Sequence, residues 1–142
     1  MDYALLPASV ATADALTSQR LAMDVIAQNI ANAQTTKDID TDLPYQRQQV
    51  VFESYLADTG RASDPLQRSV RVANVQGDEA PGDMLYLPDH PHANAEGMVE
   101  MPNVKVSMEM VDLITSSRIY EANLNVLQTS RTMAEKTLAI GR

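Results

Sequence analysis

The sequence predicts a mainly α chain with a small β-rich insert. Long N- and C-terminal helices are expected to pair as a coiled-coil-like hairpin, with the termini disordered in the monomer. Three observations predict this. Prolines fall at Pro7, Pro44, Pro65, Pro81, Pro88, Pro91 and Pro102. Residues 8–43 and 103–142 are therefore free of a residue that costs a helix interior about 3 kcal/mol. Apolar residues recur at spacings of three and four in both proline-free ends. The composition is 44% apolar but only 4% aromatic, with no Trp and 8 Met. Small and flexible apolar side chains of this kind suit helix-on-helix seams. The expected organisation is an N-terminal helix in 1–36, the insert in 37–106 and a C-terminal helix in 107–142.

The first helix is expected from about Ser9 to Ala33. Leu16, Gln19, Met23, Ile26, Ile30 and Ala33 follow a three-four repeat, and five of the six are apolar. Gln34, Thr35 and Thr36, then Asp38, Asp40 and Asp42, are expected to end it. The second helix is expected from an N-cap at Ser107, with Glu109 and Asp112 near the positive end of its dipole. Its seam runs through Met110, Leu113, Ser117, Tyr120, Leu124, Leu127, Arg131, Ala134 and Leu138. At 1.5 Å per residue the helix is roughly 50 Å long.

This helix has a second apolar line, Ile119, Val126, Met133 and Ile140, each seven residues apart. At 100° per residue the line sits roughly 150° around from the first seam. One stripe suffices for one core, and two imply neighbours on two sides. The N-terminal helix covers one, so another chain is expected on the other. A dozen or so seam side chains stand against the backbone entropy of about 60 helical residues. The terminal helices are therefore expected to order on assembly.

Between the helices, short strands and turns are expected. The alternation Val50, Phe52, Ser54 does not by itself settle a strand, because Val51 and Tyr55 are also apolar. Val70–Val75, followed by Gly77-Asp78, Met84–Leu87 and Gly97–Met101 fit strands bounded by turns. From 78 to 112 eight acids stand against Lys105 alone. Such a run reads first as a solvated face, and second as a docking patch for a basic partner. Met98, Met101, Met108 and Met110 are expected to fill gaps where insert meets helix.

Several function classes fall away. The chain has 142 residues, 11 Lys plus Arg, 19 Asp plus Glu and a net charge of −8. That balance repels phosphate backbones, so no nucleic-acid partner is expected. The absence of Cys excludes disulfides, thiolate metal sites and thiol catalysis. No apolar run approaches the ~18 residues of a membrane span. Asp2 and Asp14, with no early Lys or Arg, argue against a cleaved secretory signal. No phosphate-binding loop or nucleophile elbow is present. His90 and His92 could ligate a metal with Asp89 or Glu96, but an extended His-Pro-His throws the two rings to opposite sides. A structural turn is the favoured reading, with no catalytic residue, no metal and no cofactor.

The motifs then resemble a known family. Asn29-Ile30-Ala31-Asn32-Ala33-Gln34-Thr35 resembles the N-L-A-N-x-x-T signature of the flagellar rod and hook axial proteins. Tyr120-Glu121-Ala122-Asn123 through Gly141 is similar to their shared C-terminal helix. Pro44-Tyr45-Gln46-Arg47 is similar to the P-Y-R-R of the proximal rod members. His90-Pro91-x-Ala93-x-x-x-Gly97, followed by Pro102-Asn103-Val104, resembles one short proximal-rod member in particular.

The resemblance implies a non-enzymatic structural subunit of the basal-body rod, exported by the flagellar type III apparatus and polymerising helically across the periplasm to transmit torque. Its implied partners are copies of itself, proximal and distal rod subunits, the adaptor at the membrane ring and the export apparatus. Leu16, Met23, Ile26, Ile30, Leu113, Tyr120, Leu124 and Leu127 are expected in the intrachain seam. Ile119, Val126, Met133 and Ile140 are expected at neighbouring subunits. Two other readings stay open at this point: a helical adaptor of the export or assembly machinery that never polymerises, and a small metalloenzyme built on His90 and His92.

Overall fold

The computed structural model describes residues 6–37, 43–56 and 68–140. It has two long helices and a small β region. Helix α1 spans Leu6–Ala31 and helix α2 spans Val106–Ile140. Between them lie β1 (Gln48–Leu56), β2 (Arg68–Gly77), β3 (Met84–Tyr86) and β4 (Met98–Glu100). The helix-ending acids Asp38, Asp40 and Asp42, and residues 141 and 142 of the C-terminal segment, lie outside the described residues.

Helix α1 starts three residues before the expected Ser9 and holds Pro7 in its first turn, where the missing N–H removes no helical bond. It ends in a tight turn. The Asn32 N–H donates to Gln28 O at 3.0 Å, the Ala33 N–H to Ile30 O at 3.3 Å and the Thr35 N–H to Asn32 O at 3.0 Å. Helix α2 begins one residue before Ser107. The Lys105 carbonyl accepts from the N–H groups of Met108 at 2.9 Å and Glu109 at 3.1 Å, so Lys105 rather than Ser107 is the cap position.

The ambiguous Val50–Tyr55 stretch is a strand. β1 and β2 form an antiparallel hairpin that pairs Val50 with Val75, Phe52 with Val72 and Ser54 with Val70. Between Val51 and Phe52 the register shifts by one, which leaves Ala73 as an extra residue that bends the ribbon. Glu53 and Arg71 face each other as an ion pair, and the Arg71 guanidinium lies 5.0 Å from the Tyr55 ring centre.

This hairpin packs on α1. The Ser18 hydroxyl donates to Val70 O at 3.2 Å, and the Tyr55 hydroxyl donates to Asp14 Oδ2 at 2.9 Å. The bond to Asp14, with desolvation and the Asp14 charge behind it, holds the Tyr55 phenol above its ordinary value.

A second antiparallel hairpin pairs β3 with β4, Met84 opposite Glu100 and Tyr86 opposite Met98. Among the described residues no other helix or strand packs on it. Its base is closed by the Met101 N–H donating to Asp83 O at 2.9 Å. Gly82 sits at that closure. A Cβ there would stand 1.7 Å from Met101 O, so the two chains meet only because the side chain is absent.

The buried apolar set among the described residues is Ala22, Val25 and Val99. Met98 and Met101 are half-buried at the junction, but Met108 and Met110 point to solvent and fill no gap. We expect Gly82→Ala to destabilise the chain by about 2–4 kcal/mol, because backbone meets backbone and no side chain can give way. Urea unfolding followed by circular dichroism measures this.

Candidate functional site: a polar clasp and an uncovered helix face

The helices meet at two buried polar side chains. Asn29 near the end of α1 and Glu109 in the first turn of α2 are both 0% exposed. The Asn29 amide donates to Glu109 Oε2 at 3.0 Å and to Gln48 O at 2.8 Å. Its Oδ1 accepts from the Gln48 N–H at 2.9 Å and from the Tyr45 hydroxyl at 2.9 Å. One side-chain amide thus satisfies both backbone groups of Gln48, as the peptide of a neighbouring strand would.

Arg47 completes the arrangement. Its Nε donates to Glu109 Oε1 at 2.5 Å, and its Nη2 reaches Asp112 Oδ2 at 3.5 Å. The Arg47 N–H donates to Asn103 Oδ1 at 2.7 Å. The Asn103 amide donates in turn to Asp78 O and Ala80 O, each at 2.9 Å. The Asp78 N–H returns to Arg47 O at 2.7 Å. This network ties together the end of α1, the start of β1, the turn after β2 and the start of α2.

Most of the motif residues converge here. Asn29, Tyr45, Arg47 and Asn103 form the clasp. Asn32 and Thr35 shape the turn that feeds it: the Asn32 amide donates to Gln28 O at 2.9 Å, and the Thr35 hydroxyl donates to Asn32 Oδ1 at 3.2 Å. The Tyr45 N–H then donates to Thr35 O at 3.0 Å. Pro44 and Val104 are half-buried beside it, and Pro102 is buried. Tyr120 and Asn123 are half-buried farther along α2, and Glu121 is exposed.

His90, Pro91, Ala93 and Gly97 form the turn between β3 and β4. The Ala93 N–H donates to His90 O at 3.0 Å. Gly97 takes a φ of +74°, and a Cβ there would meet the Tyr86 ring at 3.0 Å. The imidazoles do not point apart as an extended His-Pro-His would require. The chain turns, and their ring centres lie 5.2 Å apart, edge to face. The His90 Nδ1 accepts from the His92 N–H at 3.2 Å, and His92 Nδ1 bonds the Thr36 hydroxyl at 2.8 Å. Among the described residues no three His, Asp or Glu side chains converge on a metal position.

The fully buried positions border the expected seam and do not coincide with it. Leu16, Met23, Ile26, Ile30, Leu113, Tyr120, Leu124 and Leu127 are all half-buried. The buried positions are Ser18, Ala22, Val25 and Asn29 on α1, with Glu109 and Ser116 on α2. Each lies one residue before a position of the expected line, a turn of about 100°. The physical reason is the clasp: Asn29 and Glu109 must face each other, and small Ala and Ser residues let the helices close around them.

The second line stays uncovered. Ile119, Val126, Met133 and Ile140 are exposed, Met133 to 62% and Ile140 to 86%. Ile119, Val126 and Met133 each lie one residue before half-buried Tyr120, Leu127 and Ala134, so this line flanks the packed face. It belongs to a longer uncharged strip that takes in Met108, Val111, Thr115, Ala122, Thr129 and Thr137, all exposed. The hydroxyls of Thr115 and Thr137 donate to their own helix, to Val111 O at 2.9 Å and Met133 O at 2.8 Å. Their methyl groups are left to face outward, so a strip running the length of α2 is effectively apolar.

Known proteins share this arrangement of sequence. A family model for the C-terminal part of the flagellar basal-body rod FlgEFG proteins matches residues 95–140. A Bacillus subtilis flagellar basal-body rod protein FlgC is 38% identical over 141 residues, covering 92% of this chain and 94% of that protein. The Salmonella typhimurium FlgC is 41% identical over 128 residues, covering 90% and 91%. The chain belongs to the FlgC family of flagellar basal-body rod proteins. Membership places it at the basal-body rod as a structural protein, and the non-polymerising adaptor is not favoured. Among the described residues of this FlgC-family chain, no helix is long and apolar enough to cross a membrane.

Two outcomes follow from the clasp. Asn29→Asp removes both donated hydrogen bonds and sets a second carboxylate against buried Glu109, at a cost of about 3–5 kcal/mol in urea unfolding. The Tyr45 phenol is held above its ordinary value of 10.0, first by burial and then by the Glu109 charge. A raised value means that this contribution to stability is complete below the unfolded pKa and is lost as pH rises through the folded one. Stability measured from pH 9 to 12 should therefore fall less steeply in Tyr45→Phe than in the native chain.

Proposed function

We propose that this chain is a polymerising, non-enzymatic subunit of the proximal rod. The observation that carries the reading is the uncharged, outward-facing strip on α2. A strip of this length is unfavourable in water and is covered when copies or other rod subunits pack helix against helix. Ile119, Val126, Met133 and Ile140 would then sit at subunit boundaries. The half-buried residues from Leu16 to Ile30 and Leu113 to Leu127 would tighten into a coiled-coil seam within each subunit. Torque would pass through these packed seams.

The family further suggests the partners: other proximal and distal rod subunits, the adaptor at the membrane ring, and the flagellar type III export apparatus. Export as an extended chain suits a fold whose helices gain much of their burial on assembly. Ordering of the terminal helices would then be coupled to polymerisation. Neither catalysis nor a cofactor is needed for this role.

Val126→Asp tests it. The substitution lies on an exposed position, so the subunit itself should be unaffected. Burying an unpaired carboxylate at a helix seam should abolish rod assembly, counted by electron microscopy of purified basal bodies, with the secreted protein near its normal level. Normal rods with Val126→Asp would contradict the reading.

A further inference from the structure

Helix α2 opens beside a groove of about 430 Å³, which lies between the turn after β2 and the first turns of the helix. Pro81, Pro102, Val104 and Met108 give it apolar walls. Met108 is 59% exposed and also stands where the uncharged strip of α2 begins. Pockets of ~300–1,000 Å³ hold drug-sized groups, so long side chains fit here.

The groove is also acidic. Asp78, Asp83, Glu109 and Asp112 line it against Arg47 and Lys105. Arg47 is committed to Glu109 and Asp112 within the clasp. Asp78 accepts only from neutral donors, Gln49 Nε2 at 3.1 Å and the Ala80 N–H at 3.0 Å. The Asp83 carboxylate is exposed and bonds nothing among the described residues. Asp78 and Asp83 are thus held by no cation, and Lys105 is the lone uncommitted base in the lining. The acids do not gather round one point: among the described residues no three His, Asp or Glu converge on a metal position. Separate cations on one chain match them better, with their aliphatic stems along the apolar walls.

We propose that this groove takes a basic segment of a different protein at the rod, with Lys or Arg heads on Asp78 and Asp83 and their stems against Met108 and Pro81. A second copy of this chain offers no such segment. Its 11 bases are scattered, and only Arg68 and Arg71 lie within four residues of each other. Arg71 is already paired with Glu53. The inference rests on the reading of the α2 strip as a contact face, and it gives the chemistry of the neighbour at the first turn of that strip. Charge at the groove would select the neighbour and set its register, while the apolar strip beyond supplies the burial.

The test places a benzophenone photo-crosslinker at position 80, which is exposed and lines the groove, in assembled rods, with a second set at position 126. From position 80 we expect an adduct with a different protein, mapped to a segment with two Lys or Arg within four residues of each other. Asp83→Lys reverses a charge that bonds nothing on its own chain. It should cut that adduct about tenfold or more with secretion unchanged, and Asp83→Asn should cut it less. A link to a second copy of this chain, a link to a segment without such bases, a yield indifferent to Asp83→Lys, or no link from 80 while 126 reacts would overturn the docking and leave the strip reading standing. No link to any rod subunit from either position would overturn both.

Discussion

A buried carboxylate held between an amide and a guanidinium sets the geometry of this chain. Glu109 has its two oxygens engaged by Asn29 and Arg47, on two separate segments of chain. A buried ion pair adds little net stability, because desolvation offsets attraction, but removing one partner strands a charge. Such a group works by specifying. Helices α1 and α2 can pair only in the rotation and stagger that bring Asn29 to Glu109, and β1 can start only where Gln48 meets the Asn29 amide. With Ala22, Val25 and Val99 as the buried apolar set among the described residues, hydrophobic burial alone would leave several helix registers close in energy.

The clasp also bears on what the outside of the molecule offers. It turns small side chains inward and leaves the Ile119–Ile140 line uncovered. Threonines on that line spend their hydroxyls on their own helix, so the face can be dried at little cost. An uncovered helix face of this kind suits a member of a rod-protein family. The clasp lies at one end of the helix pair, and beyond Ser116 no residue of α2 is fully buried.

The large features of the fold were legible in the sequence, and the chemistry at its centre was not. Proline placement and three-four spacing located both helices to within a few residues. The Val50–Tyr55 strand was ambiguous because apolar residues occupy both of its faces, and the hairpin with β2 resolves it. Apolar periodicity marks half-buried positions and passes over the fully buried ones one residue earlier. It counts Met23, Ile26 and Ile30 as the seam and has no means of recognising that Asn29 and Glu109 are buried. Family resemblance singled out Asn29, Tyr45, Arg47 and Asn103 without saying what they do. Glu109 was legible only as an acid favoured by a helix N-terminus; the signal that could have found it is the buried polar partner that an Asn on a helix face demands. The turn at His90–His92 is as the prolines imply, but within it the two imidazoles lie edge to face and not on opposite sides.

The most direct test of the account is amide hydrogen exchange on the isolated chain and on assembled rods. The account predicts strong protection around the clasp, at residues 25–32 and 106–116, in both forms. From about residue 119 to 140 it predicts fast exchange in the isolated chain and slow exchange in the rod. An isolated chain protected along the whole of α2, with no further slowing on assembly, would contradict it.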